Sequence, residues 1–206
     1  MELVTAPTVI SIDPGGTTGW SRMVVHPEAL VDPEIPILTN ILDRANGQVR
    51  AIPATPNGKA PKALNLALEE RRCIKTLVSD VLYPWYGAAL VIEDFLLRKK
   101  VMDRELLSPV RLCAALELAA EYEGFSMTLH RQSPSEAKTT ATDARLKDWG
   151  LYSRAGGMQH ARDADRHSIT FLRRAKARGS VRGEAWPHLY TPSGDLRPVP
   201  LLLPAA

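Results

Sequence analysis

Residues able to do chemistry fall in three places along the chain. The first is Val9-Ile10-Ser11-Ile12-Asp13-Pro14-Gly15-Gly16-Thr17-Thr18-Gly19-Trp20, where a β-branched run delivers an aspartate to a Pro-Gly-Gly break. A carboxylate on a rigid strand end, beside exposed backbone N–H groups and two hydroxyls, can hold a divalent cation, a phosphate or both. The same residues also suit a plain Asp-Pro-Gly turn. The second is Ala88-Ala89-Leu90-Val91-Ile92-Glu93-Asp94-Phe95, in which apolar residues lead straight into two acids, as a buried central strand does at its end. A carboxylate there costs stability unless it is paired or metal-bound, which singles out Glu93. Asp94 is read as its supporting partner or a spare ligand, and the opposing reading has both acids marking the strand's exit to water. The third is Gln159 to His167, where His160, Asp163 and His167 stand at i, i+3 and i+7 and share a helix face. Asp165 points away from that face and is read as an ordinary surface acid.

These groups need elements to position them. The stretch around Asp13 reads as a hairpin, with glycine supplying the reversal. Residues 36–42 fit a third strand, and the Pro-, Gly- and Asn-rich residues 43–61 fit a long exposed loop inserted between elements. Leu64 to Leu82 carries the period of an amphipathic helix. Ser108-Pro109 is a helix start with Ser at the N-cap and Pro at N1, and that helix runs to about Gly124. Phe125 to Leu129 reads as a strand. Ser133-Pro134-Ser135-Glu136 matches a capping box that opens a short helix bearing Lys138. Asp143 to Trp149 is another short helix ended by Gly150. The helix bearing His160 presents Ala161, Ala164, Ser168, Phe171 and Ala175 as a small or apolar face for packing on a sheet. From Gly179 onward, prolines forbid a long helix, so residues 179–206 read as an extended tail, either docked or disordered, on a domain spanning 1–178.

The chain has 206 residues, enough for one domain with an ordinary core. No apolar run nears the roughly 18 residues that span a bilayer. The N-terminus shows no basic segment followed by an apolar stretch, so a cytoplasmic location is expected. Cys73 and Cys113 lack metal spacing and read as buried thiols of a reducing compartment. Net charge is only +3, but from Arg145 to Arg182 ten basic residues face three acids, and Arg98-Lys99-Lys100 forms a second knot. Basic clusters beside isolated carboxylates suit a polyanion held close to a metal site.

Asp13 on a hairpin, Glu93 ending a central strand, and His160 with Asp163 on a late helix stand in the order found in the ribonuclease H-like superfamily. Over residues 8–176 the chain resembles the RuvC-type Holliday junction resolvases in their divergent bacteriophage form. The resemblance implies an α/β fold with a mixed five-stranded sheet flanked by helices. It implies a metal-dependent endonuclease that resolves four-way junctions by paired nicks, working as a homodimer in the cytoplasm of a bacterial host. Asp13, Glu93, His160 and Asp163 match the family's metal site for two Mg²⁺ ions, with Mn²⁺ as a substitute. Asp13 would bridge the ions, Glu93 and Asp163 would complete one shell each, and His160 would ligate or serve the attacking water. Lys138 matches the basic residue that meets the scissile phosphate, and Phe95 lies near the position of a junction-inserting aromatic. Arg98, Lys99, Lys100 and Arg111 are candidate backbone-phosphate contacts.

Three rivals share some of these features. A nuclease of the same fold can act on other branched DNA or on RNA–DNA hybrids. A structure-specific DNA-binding protein can keep the fold without cutting. An actin- or sugar-kinase-type ATPase also opens with Asp-x-Gly-x-Thr on a hairpin, but it needs a second glycine-rich phosphate loop, and none appears here.

Overall fold

The computed structural model describes residues 5–50, 66–94, 108–122, 126–153 and 158–198. Its centre is a five-stranded mixed sheet in the order β3-β2-β1-β4-β5. The strands are β1 (Thr8–Asp13), β2 (Thr17–Val25), β3 (Ile41–Arg50), β4 (Ala89–Glu93) and β5 (Thr128–Gln132). The hairpin expected around Asp13 is present, with β1 and β2 antiparallel and β3 extending the meander. β4 runs parallel to β1, and β5 runs parallel to β4.

Strand periodicity sorts side chains onto two faces. Ile10, Ile12, Leu90 and Ile92 point to one side and pack against α1 (Leu66–Thr76), its continuation Leu77–Leu82, and α2 (Ser108–Tyr122). Val9, Ala89 and Val91 point to the other side, together with Met23 and Val25 of β2. That side is covered by α5 (Gln159–Ala177) and α6 (Gly179–Ala185), with α3 (Pro134–Thr140) and α4 (Asp143–Asp148) alongside α5. Asp13 continues the Val9–Ser11 series and Glu93 continues the Ala89–Val91 series. Because Ile12 is level with Ile92, the two acids finish adjacent parallel strands on the same face.

Several expectations are corrected. The third strand is Ile41–Arg50, whereas 36–42 is mostly a turn. Residues 43–50, expected as loop, pair along nearly all of β2; residues 51–61 lie outside the described residues. Long-range ladder bonds here override the low strand propensity of Asn46 and Gly47. β5 begins three residues later than expected. Pro134 does open α3, but the Ser133 hydroxyl bonds to Ser135 Oγ, so the capping-box bond is not made. Residues 179–198 are not simply an extended tail. They include α6 and send Trp186 and Tyr190 fully into the core.

Gly19 shows how tightly α5 is seated. A Cβ there would lie 2.0 Å from the backbone oxygen of His160. Gly19→Ala is therefore expected to cost about 1–3 kcal/mol through overpacking and to push the start of α5 off the sheet. Urea unfolding beside the activity assay described below would check it; unchanged stability would mean that α5 does not sit this close.

Candidate active site

The first turns of α5 cross the ends of β1 and β4, which brings helix side chains onto the two strand-end acids. His160 Nδ1 lies 2.8 Å from Asp13 Oδ2, so one proton is shared between them. One turn further, Asp163 takes the guanidinium of Arg166. His167 Nε2 lies 2.8 Å from Glu93 Oε2, while its Nδ1 is 3.2 Å from Gln132 Oε1 of β5. α5 thus brings His160 onto Asp13 and His167 onto Glu93, while Asp163 is paired with Arg166 and its charge reaches Asp13.

Asp13 is buried. Loss of water holds its carboxyl above the usual carboxylate value; the His160 bond opposes this, and the negative charges of Glu93 and Asp163 add to it. His160 shifts upward, chiefly because it bonds Asp13, with burial opposing. The pair is thus tuned to keep a proton close to both groups.

The donor chemistry suits a hard divalent cation. Three carboxylates and an imidazole sit where the acids already feel one another's charge, which a cation would relieve. As they stand, no three His, Cys, Asp or Glu side chains among the described residues gather around a single point. Each acid is instead engaged by His160, His167 or Arg166. Asp13, Glu93, Asp163 and His160 are donors that could hold an ion once turned from these partners.

Several supporting roles escaped the sequence reading. Gln48 Oε1 accepts from the backbone N–H of His160 (2.9 Å) and of Ala161 (3.4 Å). It thereby caps α5 from β3, a role usually filled by a residue just before the helix. Asp165 is the clearest correction: it is wholly buried rather than a surface acid. It accepts from Ser21 Oγ at 2.8 Å, Asn46 Nδ2 at 2.6 Å and Arg44, whose closest nitrogen is at 2.5 Å. Ser168 adds bonds to Ser11 and Ser21. Arg44, Asn46 and Gln48 alternate along β3 and all reach α5. The alternation Arg44-Ala45-Asn46-Gly47-Gln48 was the available signal, since large polar and small residues take turns with period two. Asp165→Asn should lower stability by about 1.5–3 kcal/mol, because it replaces a charged acceptor of several hydrogen bonds with a neutral group. Thermal unfolding would check this; a change within experimental error would mean that the network carries no net stability.

The other expected residues are placed as follows. Lys138 is exposed on α3. Arg111 is held by Glu70 through two bonds of 2.8 and 2.5 Å, so a phosphate would have to compete with that carboxylate. Asp94 lies within 3.9 Å of Arg131, which also pairs with Glu117 of α2. Asp94 is thus engaged away from the Asp13–His160 pair. Phe95, Arg98, Lys99 and Lys100 lie outside the described residues. Cys73 and Cys113 are free buried thiols, as expected, and burial pushes the Cys73 thiol up to about 11. No helix among the described residues is long and apolar enough to cross a membrane.

With an antiparallel three-strand meander, two parallel strands beyond it and α5 laid across the strand-end acids, the chain has the ribonuclease H-like α/β fold. Among solved structures it is similar to RuvC of Thermus thermophilus. The complex of that protein with a Holliday junction substrate superposes with a TM-score of 0.57 at 18% identity, covering 83% of this chain and 96% of that one. A second structure of the same protein gives 0.52 at 14% identity, covering 82% and 96%. At such identities the likeness is one of fold. No family model and no curated protein sequence matches the chain.

Proposed function

We propose that this protein is a divalent-metal-dependent endonuclease that resolves four-way DNA junctions by paired nicks, acting as a homodimer. The observation that carries the reading is that α5 lays His160 on Asp13 and His167 on Glu93 at the strand ends of a ribonuclease H-like sheet, with Asp163 near enough for its charge to reach Asp13. Support for the substrate comes from the fold neighbour, a RuvC structure in complex with a Holliday junction.

Two Mg²⁺ ions bound by Asp13, Glu93, Asp163 and His160 would supply an activated water and neutralise charge on the leaving oxygen. The chain's own groups do the rest. His160 Nδ1 is bonded to Asp13 Oδ2, which leaves Nε2 of the imidazole as the atom that would take the proton of an attacking water. Gln48 holds the backbone of His160 and so fixes where that imidazole begins. Lys138, exposed on α3, brings positive charge to the phosphate being cut. A junction has two-fold symmetry, so paired nicks call for two copies of the site.

The test is a nicking assay on a synthetic four-way junction, with a matched duplex and an RNA–DNA hybrid beside it, in magnesium, manganese or chelator. Metal-dependent paired nicks on the junction alone are expected. Cutting confined to duplex or hybrid would keep the nuclease and overturn the substrate. Junction binding without cleavage in any metal would make the protein a binding module.

A further inference from the structure

The three site acids are each engaged, but not equivalently. Asp13 and Glu93 are bonded by histidines, which can give up a proton. Asp163 is bonded by Arg166, which cannot. Arg166 is itself firmly seated. Its side chain is 11% exposed, its Nε donates to the backbone oxygen of Ala141 at 2.8 Å, and its two terminal nitrogens go to different acids. One reaches Asp163 within the site; the other reaches Asp143, the first residue of α4, whose side chain is 54% exposed. The guanidinium is therefore shared between an acid of the site and an acid outside it.

A cation arriving at Asp163 meets a permanent positive charge already on that carboxylate. Like charges on one carboxylate repel strongly where burial limits screening. Asp143 and the Ala141 carbonyl can keep the guanidinium satisfied once Asp163 turns to another cation, so Arg166 need not be left unpaired.

We propose that Arg166 is a built-in counter-cation that competes with divalent ions for Asp163, and that Asp143 is the seat that receives it. This rests on the reading that Asp13, Glu93 and Asp163 hold divalent ions. The proposal assigns opposite effects to the two ends of one ion pair. Arg166→Met removes the competitor and tightens metal binding. Asp143→Asn removes the receiving seat, leaves Arg166 more fully on Asp163, and weakens metal binding.

The experiment is a calorimetric titration of Mn²⁺ into the metal-free full chain, comparing wild type, Arg166→Met, Asp143→Asn and Asp13→Asn. Far-ultraviolet circular dichroism would set a temperature at which all four are folded. Arg166→Met is expected to lower the dissociation constant roughly tenfold, the scale of one hydrogen bond to a charged group. Asp143→Asn is expected to raise it several-fold. A purely structural role for the Asp143–Arg166 pair moves both variants the same way, and that result overturns the proposal. Equal affinity in all three site-intact proteins overturns it too. If Arg166→Met does not fold, the Asp143→Asn arm decides alone: weaker binding supports the proposal, and unchanged or tighter binding overturns it. If wild type takes up no Mn²⁺ beyond what Asp13→Asn takes up, the metal reading itself fails and this inference falls with it.

Discussion

Asp13→Asn is expected to reduce junction nicking by about 10³-fold or more, the scale seen when a group on which catalysis depends is removed. The same variant is expected to fold at least as well as wild type at alkaline pH in chelator. The sign follows from the shifts. Asp13 is an acid whose folded-state value is raised, first by burial and then by Glu93 and Asp163. Such a group carries no penalty below its unfolded value, and it costs stability as pH rises toward the folded value and beyond. The raised value of His160, which follows first from its bond to Asp13, works in the other direction. That contribution is full below the unfolded histidine value and is lost as pH climbs through the folded one. Asparagine removes both effects. Its advantage should therefore be greatest at alkaline pH, where the histidine is neutral in both states, and should shrink toward neutrality. Chemical denaturation across pH, beside the nicking assay, separates the two readouts. Full nicking by the asparagine variant would remove Asp13 from the chemistry, and a large loss of stability at alkaline pH would mean that the carboxylate is a net support.

Trp186→Ala is expected to cost about 3–5 kcal/mol, the scale for removing a buried aromatic. The indole is fully buried, donates from Nε1 to the Thr8 carbonyl at 3.0 Å, and meets Phe171 of α5 edge-on at 5.9 Å. At roughly 2–4 °C per kcal/mol for a chain of this size, the midpoint should fall by about 6–20 °C. A chain ending at Arg178 should not fold, because it also loses Arg182. That buried guanidinium donates to the carbonyls of Gly194, Leu30, Ala175 and Lys176, tying the end of α5 to the turn after β2. Calorimetry of the point variant and limited proteolysis of the truncated chain would check both. A truncated chain that unfolds cooperatively near the wild-type midpoint would return residues 179–198 to the status of a tail.

The hairpin, the buried strand ending in Glu93 and the helix bearing His160 and Asp163 were legible in the sequence because each is a local pattern. Period-two burial, a glycine break and i, i+3, i+7 spacing are written within short windows, and such windows suffice to place Asp13, Glu93, His160 and Asp163 on their elements. β3 was misplaced, onto residues 36–42, for the complementary reason. Asn46 and Gly47 have poor strand propensity, and the strand exists through its pairing with β2, which no window of its own residues contains.

Asp165 and Asp163 are the same residue type two positions apart on one helix; local spacing puts them on different faces, but nothing local marks Asp165 as a core acid rather than a surface one. What decides that is what each face meets after α5 docks. Asp165 then meets Ser21, Arg44 and Asn46, more than a hundred residues away in the chain. The same holds for Gln48 at the helix start and for Trp186 beneath β1. By itself the sequence determined most of the elements, their order and the acids each carries, because periodicity and turn chemistry act over a few residues. Only the tertiary structure decided which polar groups meet. Burying a charge is tolerable only beside its partner, and here those partners lie far apart along the chain.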